Sequence, residues 1–180
     1  MLSIKVNEAE IYDEANNEFI YVKAQTLLME HSLISISKWE KKYHKPFLHN
    51  VDKFTPDEQL YYFKCMTITQ NVDEMVYRCL GKKNIRKINE YINDPMTATT
   101  FTLPNGPNRR DIITNEVIYY RMLKFGIPFE CEKWHLNHLL TLIKVCSVKE
   151  GPVQKMSSSD LASRNRALNM QRRKRFNSNG

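Results

Sequence analysis

A short polar segment in the last third of the chain carries residue types that bind metals. Cys131, His135 and His138 are spaced so that they would share one face of a continuous helix. A thiolate and two imidazoles are ligands that zinc accepts, although a structural zinc site needs a fourth ligand from elsewhere. The alternative is that Cys131 is a small buried hydrophobic residue and that both histidines hydrogen-bond at the helix surface. We favour this alternative, because such helical spacing recurs by chance, and we predict no metal site.

The sequence contains no other pattern that is typical of an enzyme. Glu132 and His135 form a single Glu-x-x-His, whereas di-iron helical bundles use two such motifs and two further glutamates. There is no G-x-S-x-G elbow, and the nearest approach to a phosphate-binding loop, residues 81–83, lacks the second glycine and the hydroxyl residue. Only 5 of the 180 residues are glycine, which is less than half of the average glycine content of about 7%. We therefore predict no catalytic residue, no cofactor and no enzymatic activity.

The cysteine spacing and the lack of long apolar segments bear on the cellular compartment of the protein. The four cysteines form no C-x-x-C pair, which disfavours a zinc ribbon and a thioredoxin-type site. Residues 1–14 contain no apolar stretch of the kind that signal peptides have, and no apolar run reaches the roughly 18 residues that span a membrane. We therefore expect a cytoplasmic protein with free thiols and no membrane partner.

Positive charge is concentrated at one end of the sequence. The whole chain has a net charge of +7. Residues 151–180 contain seven basic residues and one acidic residue, a net charge of +6, whereas residues 1–150 contain 20 basic and 19 acidic residues, a net charge of +1. The candidate docking residues of this basic tail are Arg164, Arg166, Arg172, Arg173, Lys174 and Arg175.

Three interpretations of the basic tail are open at this point. It can bind nucleic acid through the phosphates, in a salt-sensitive and sequence-independent way. It can also be a segment that folds onto an acidic protein surface, or a solubilising tail whose cations suit the C-terminal end of a helix. We favour docking onto a protein, because Phe176 is the only aromatic residue after Trp134 and nucleic-acid bases therefore lack rings on which to stack.

The apolar pattern of the chain changes from a strand period to a helix period near Ser32. Residues 2–30 alternate apolar and polar residues and are rich in β-branched and aromatic types, which predicts a small β-hairpin element. From Ser32 onward apolar residues recur at helical spacing. Thr55, Pro56 and Glu58 form a capping-box signature at a helix start. The predicted helices begin near Ser32, Thr55, Asp73, Asn84, Thr114, Glu130 and Asp160.

Three further local predictions concern a helix end, a strand and the length of one helix. Gly81 is expected at the left-handed position that ends the helix from Asp73, and residues 99–103 are expected to form a strand. The helix from Glu130 is expected to run to about Val148 without a break. Paired aromatic residues, such as Tyr119 and Tyr120, straddle both sides of their helices, which favours a protein-binding surface.

These elements predict a mainly α protein with one globular domain over residues 1–150. Its parts are the β element at 2–30 and a body of five to six helices at 31–150. Residues 151–180 form the basic tail, whose helix has a narrow apolar face. Because so narrow a face buries little surface, we expect the tail to be mobile or to be ordered by a partner.

Five segments of the chain resemble a family of tailed-bacteriophage proteins of the tail gene module, described as tail assembly chaperones. None of the five is a catalytic signature, and together they cover most of the chain after Glu30. The segments are EHSLISISKWEKKYHKPFL (30–48), CMTITQNVDEMVYRCL (65–80), MTATTF (96–101), IPFECEKWHLNHLLTLIKVC (127–146) and KMSSSDLASRNRALNMQRRKRFNSNG (155–180).

The resemblance implies a binding role in phage tail morphogenesis. Tail assembly chaperones bind the long tape measure protein, keep its hydrophobic helices from aggregating and recruit tail tube subunits during polymerisation. The implied partners are therefore the tape measure protein and the tail tube protein, and the implied location is the host cytoplasm. The alternative function is that of a nucleic-acid-binding accessory protein acting through the basic tail.

Overall fold

The computed structural model describes residues 1–13, 17–100, 112–150 and 158–176. These residues contain eight α-helices, two short 3-10 helices and four strands, so the predicted mainly α fold with an N-terminal β-hairpin is confirmed. The chain divides into two compact units, Met1–Cys146 and Ser147–Gly180, whereas the sequence suggested a division after residue 150.

The four strands form one antiparallel hairpin in two parts. In the proximal part, β1 (Leu2–Val6) pairs with β4 (Gln25–Met29); in the distal part, β2 (Ala9–Asp13) pairs with β3 (Glu18–Val22). Two residues separate the parts on each side, so the register does not shift between them. The proximal part packs on the helices, whereas the distal part contacts them at few points.

The helices follow the hairpin in chain order. None of those in the described ranges combines the length with the apolar character that a membrane crossing requires. Short 3-10 helices occupy Val51–Lys53 and Phe129–Lys133. The α-helices are α1 (Leu33–Tyr43), α2 (Phe47–Asn50), α3 (Pro56–Met66), α4 (Glu74–Arg78), α5 (Lys82–Asn93), α6 (Asn115–Lys124), α7 (Leu136–Glu150) and α8 (Ser158–Phe176).

The helix starts that the sequence marks by side-chain caps are found where expected. The Ser32 hydroxyl accepts from the Ser35 N–H at the start of α1. At α3, the Thr55 hydroxyl accepts from the Glu58 N–H, and the Glu58 carboxylate accepts from the Thr55 N–H. This reciprocal pair satisfies two backbone donors that would otherwise lack partners in the helix, and the predicted capping box is confirmed.

Gly81 does not adopt the predicted left-handed conformation. Its φ is −70° and it is the N-cap of α5, because α4 ends at Arg78, before the glycine is reached. Of the two glycines in the described ranges, the left-handed one is Gly126, with φ +62°, directly after the C-cap of α6. A side chain would be strained there, since L residues rarely adopt this conformation.

Two other element predictions are wrong in part. The helix expected from Glu130 to Val148 is broken: a 3-10 helix ends at Lys133, and α7 begins only at Leu136. Of the strand expected at residues 99–103, Thr99 and Thr100 are not in a strand, and the remainder lies outside the described residues. The one-turn helix α2, which begins directly after Pro46, was not predicted.

The core of the first unit lies between the proximal hairpin and α1, α3 and α6. Ile4 and Leu27 from the hairpin and Ile36 from α1 are fully buried. Trp39 is also buried, stacks on Phe54 with 4.6 Å between ring centroids, and donates its indole N–H to the Glu58 carbonyl oxygen at 3.1 Å. Each such side chain contributes about 1.5–3 kcal/mol when it is fully removed from water. The helical body therefore gives the hairpin a rigid base.

Candidate functional site

The basic tail lies in α8. All six candidate residues belong to this helix, and the side chains of Arg166, Arg172 and Arg173 are exposed. The side chains of Arg164, Lys174 and Arg175 are outside the described part of the chain. Arg172 and Arg173 are consecutive, and successive helical positions differ by about 100°, so these two exposed cations point to different sides of the helix. This distribution suits contact with a concave or flexible anionic surface.

Two apolar residues of α8 are exposed. Leu168 and Met170 both face solvent, and the other side chains of α8 that are described are exposed as well. A helix whose side chains are exposed gains little stability from packing. The exposed cations Arg166, Arg172 and Arg173 are therefore accessible to partners.

The Cys131, His135 and His138 cluster does not share a helical face. Cys131 is buried in the 3-10 helix, His135 lies in the break before α7, and His138 is in the first turn of α7. The exposed His138 ring stacks on Trp134, with 4.8 Å between ring centroids. Among the described residues no group of three or more histidine, cysteine or acidic side chains is arranged to hold a metal ion. The geometric premise of the zinc alternative is therefore wrong.

Both ring nitrogens of His135 have structural partners. Its Nδ1 accepts from the Asn137 N–H at 3.3 Å, which makes the imidazole a cap for the first turn of α7. A neutral ring that accepts at Nδ1 carries its proton on Nε2, and Nε2 lies 3.0 Å from the Tyr91 carbonyl oxygen. His135 therefore fastens α7 to α5 and has no lone pair left for a metal.

A buried pair of histidines joins the hairpin to three helices. The His31 ring lies 5.1 Å from the His135 ring, and its Nδ1 shares a hydrogen bond with the Tyr62 hydroxyl. Only 3% of His31 is exposed. Burial, with a smaller effect from the nearby His135, lowers the pKa of His31 from 6.5 to about 3. The imidazole is neutral at physiological pH, and its seclusion from solvent suits a structural role.

Glu40 is a buried carboxylate whose two oxygens are both used. Its Oε1 accepts from the Phe47 N–H at 2.7 Å. Its Oε2 accepts from the Asn115 backbone N–H at 2.9 Å and from the Asn115 side-chain amide at 2.6 Å. Three donors compensate for the burial of a carboxylate, which is costly when it is unpaired. Glu40 therefore fixes α2 and α6 against α1.

The distal hairpin has one face that carries exposed rings. Tyr12 and Phe19 are direct cross-strand partners with 5.1 Å between ring centroids, and Tyr21 lies beside them opposite Glu10. Their exposed fractions are 47%, 71% and 56% in that order. We call these four residues the outer hairpin face. The opposite face is half-buried through Ile11 and Ile20 and is held at its base by the buried Val22.

A carboxylate continues the outer hairpin face toward the proximal part. The Tyr21 hydroxyl donates to Glu8 Oε2 at 2.7 Å, and this hydrogen bond raises the pKa of Tyr21. The segment from residue 8 to residue 18 contains five acidic residues and no basic residue. Rings and negative charge therefore occur together on an arm that has few contacts with the helices.

A groove between α1 and α3 is lined by lysines. Its volume is about 480 Å³, and its lining residues are Lys38, Lys41, Lys42, Tyr61, Lys64 and Cys65. We call this cleft the lysine groove. Lys64 pairs with Glu74, and Lys42 Nζ lies 4.0 Å from the centroid of the Tyr61 ring.

Three lysines of this groove lack a carboxylate partner. Within the described ranges, Lys38, Lys41 and Lys42 form no ion pair. They stand at i, i+3 and i+4, on one face of α1, where like charges destabilise a helix by a few tenths of a kcal/mol per pair. A bound anion would relieve this repulsion. The near-neutral total charge of residues 1–150 conceals the cluster, although the lysine spacing is visible in the sequence.

The outer side of α6 is a second exposed apolar surface. Tyr120 and Leu123 stand at i and i+3 on one helical face, and both are exposed. Beyond the turn at Gly126, the exposed Phe129 contacts the Tyr119 ring, with 6.2 Å between centroids. We call Tyr120, Leu123 and Phe129 the α6 surface. Exposed aromatic and aliphatic side chains on a helix and its following turn are typical of protein-binding surfaces.

Comparisons with known proteins add no identification. No protein family, no curated protein and no solved structure matches the chain.

Proposed function

We propose that this chain is a non-catalytic protein of bacteriophage tail morphogenesis, a tail assembly chaperone that acts in the host cytoplasm. Its partners in this proposal are the tape measure protein and the tail tube protein. The resemblance of five segments to that family supports it, and so does the structural use of the chemistry-bearing side chains Glu40, His31 and His135. The observation that carries the proposal is the exposed α6 surface.

The α6 surface has the chemistry that an apolar helix of a partner requires. Tyr120, Leu123 and Phe129 project from a helix and its following turn that the buried Ile118 and Met122 fix to the core. Covering such rings removes apolar area from water at a gain of about 25 cal/mol per Å². Because the surface is held on a rigid element, little entropy is lost when a partner helix binds.

The basic tail supplies a second contact in this proposal. Arg166, Arg172 and Arg173 of α8 are exposed, and so are Leu168 and Met170 of the same helix. An acidic segment of the partner would bind them through charge-assisted hydrogen bonds. Two linked contacts raise the overall affinity above that of either one.

Co-purification with a tape measure fragment tests the proposal. The amount of fragment that co-purifies should fall by about tenfold or more in the double variant Tyr120→Ala, Leu123→Ala, because the central apolar contacts are lost. The control Val51→Ala, Ile68→Ala removes exposed apolar side chains elsewhere and should retain the fragment fully. Equal retention by both double variants would refute the α6 assignment. A chain cut after Gly151 tests the tail: recovery of as much fragment as with the full-length chain would refute its docking role.

Nucleic-acid binding through α8 is the second candidate function, favoured by the exposed cations of the tail. Retention on a random DNA duplex at about 0.1 M and about 1 M salt separates the two candidates, since phosphate contacts weaken steeply with salt. Retention at low salt that is lost when Arg172 and Arg173 are changed to Gln supports the nucleic-acid function. Absence of retention at low salt excludes it.

A further inference from the structure

We propose that copies of this chain associate head to tail, with the outer hairpin face of one copy docked in the lysine groove of the next. This inference does not depend on the proposed function. Two surfaces of the first compact unit are complementary: the outer hairpin face carries exposed rings and carboxylates, and the lysine groove carries lysines that form no ion pair among the described residues.

The hairpin side of the contact is an arm with free surface. The distal hairpin touches the helices at few points, and among the described residues β2 and β3 pair only with each other. Tyr12, Phe19 and Tyr21 are exposed on its outer face, and Glu8 and Glu10 lie along the same face. An exposed array of rings rimmed by carboxylates is an incomplete interface.

The groove side of the contact is complementary in charge. Lys38, Lys41 and Lys42 lack carboxylates in the described part of the chain, while the arm has acidic residues without a base between residues 8 and 18. The Tyr61 ring forms one wall beside Lys42, so an incoming ring finds an apolar contact next to the cations. Opposite potentials of this kind speed the encounter and fix the orientation of two surfaces.

The occupant comes from a second copy and not from the same one. None of the described hairpin residues, 1–13 and 17–29, lines the groove of its own chain. Docking one patch onto a different patch of the next copy is a heterologous contact, which yields open chains or closed rings.

Charge reversal with complementation tests the proposal on the full chain. The groove variant is Lys41→Glu, Lys42→Glu, and the arm variant is Glu8→Lys, Glu10→Lys; all four side chains are exposed. In sedimentation velocity at about 0.1 M salt, the unchanged chain should form oligomers that dissociate at about 1 M salt, where the Debye length falls to about 3 Å. Each variant alone should associate at least about tenfold more weakly, and their mixture should form a complex.

Controls of equal charge change make the outcome specific. Lys82→Glu, Lys83→Glu alters exposed lysines on α5, and Asp52→Lys, Glu130→Lys alters exposed acids away from the arm. Both controls should associate like the unchanged chain, and circular dichroism should show equal folding for all variants. A monomer at every concentration and salt, a mixture that forms no complex, or controls that dissociate as the variants do would each overturn the proposal.

Discussion

Leu136 donates its backbone N–H to the backbone carbonyl oxygen of His31, with 2.7 Å between nitrogen and oxygen. The bond ties the first residue of α7 to the end of the hairpin, although the two residues are far apart in sequence. It also explains the short distance between the two imidazoles, since His135 precedes Leu136. One buried polar junction therefore holds the beginning and the end of the first compact unit together.

Acid should destabilise the protein through His31. The unfolded imidazole binds a proton with a pKa near 6.5, whereas in the folded chain the pKa is about 3. The contribution of the neutral His31 imidazole to the free energy of unfolding is thus fully present above about pH 6.5. It decreases as the pH falls toward 3, by up to about 1.4 kcal/mol per pH unit. Urea unfolding at pH 7 and pH 5 should show a loss of about 2 kcal/mol.

A matched pair of variants isolates this effect. His31→Gln should be less stable at pH 7 but should show a smaller change between pH 7 and pH 5, because the titrating group is gone. His49→Gln removes an exposed histidine and should keep the slope of the unchanged chain. An unchanged slope in His31→Gln would show that another group causes the acid sensitivity.

Removing the Glu40 carboxylate should be strongly destabilising. Glu40→Ala leaves the Asn115 and Phe47 donors without their acceptor in a buried setting, and we expect a loss of about 3 kcal/mol in the free energy of unfolding. Glu130→Ala, which removes an exposed carboxylate of the second 3-10 helix, should cost less than about 0.5 kcal/mol. Similar losses for the two variants in chemical denaturation would contradict the structural role of Glu40.

The Thr55 cap should be worth about 1 kcal/mol. Thr55→Ala removes the hydroxyl that accepts from the Glu58 N–H. Thr114 is also an N-cap residue, but its side chain makes no capping hydrogen bond, so Thr114→Ala should cost clearly less. Thermal unfolding followed by circular dichroism measures both. A larger loss for Thr114→Ala would contradict the assignment of the cap.

Cys65 should resist alkylation in the folded protein. Burial raises its pKa to about 11, against a smaller opposing effect of the nearby lysines. Since the thiolate is the reactive form, labelling with iodoacetamide at about pH 8 should be slow until denaturant is added. Mass spectrometry of the peptides locates the label, and Cys65→Ser identifies the peptide. Rapid labelling of Cys65 without denaturant would contradict its burial.

The sequence predicts the features that depend on near neighbours. The capping box at Thr55 involves four successive residues, and the hairpin follows from alternation and β-branched content. The bonds between Glu40 and Asn115 join residues 75 positions apart, and no local pattern marks such a pair. The lysine groove is intermediate, because the spacing of Lys38, Lys41 and Lys42 is visible, whereas the contribution of Lys64 depends on how α3 packs on α1.

The broken helix at residues 134–135 shows how packing overrides periodicity. Apolar spacing continues through this region, so a continuous helix is the natural prediction. The ring of His135 instead accepts from the Asn137 N–H and donates to the Tyr91 carbonyl oxygen. Because the first of these bonds caps the first turn of α7, a new helix begins at Leu136. The interaction with Tyr91 is tertiary, and the spacing of residues near His135 cannot reveal it.

The unbroken register of the hairpin limits how this arm can change in length. Inserting one residue in β2 alone would rotate Tyr12 toward the helices, because successive strand residues point to opposite faces. Inserting two residues on each strand would lengthen the arm by about 7 Å and leave the rings on the same face. Variation among descendants of this chain should therefore add or remove residues of the arm in matched pairs, so that its reach changes while its outward surface is kept.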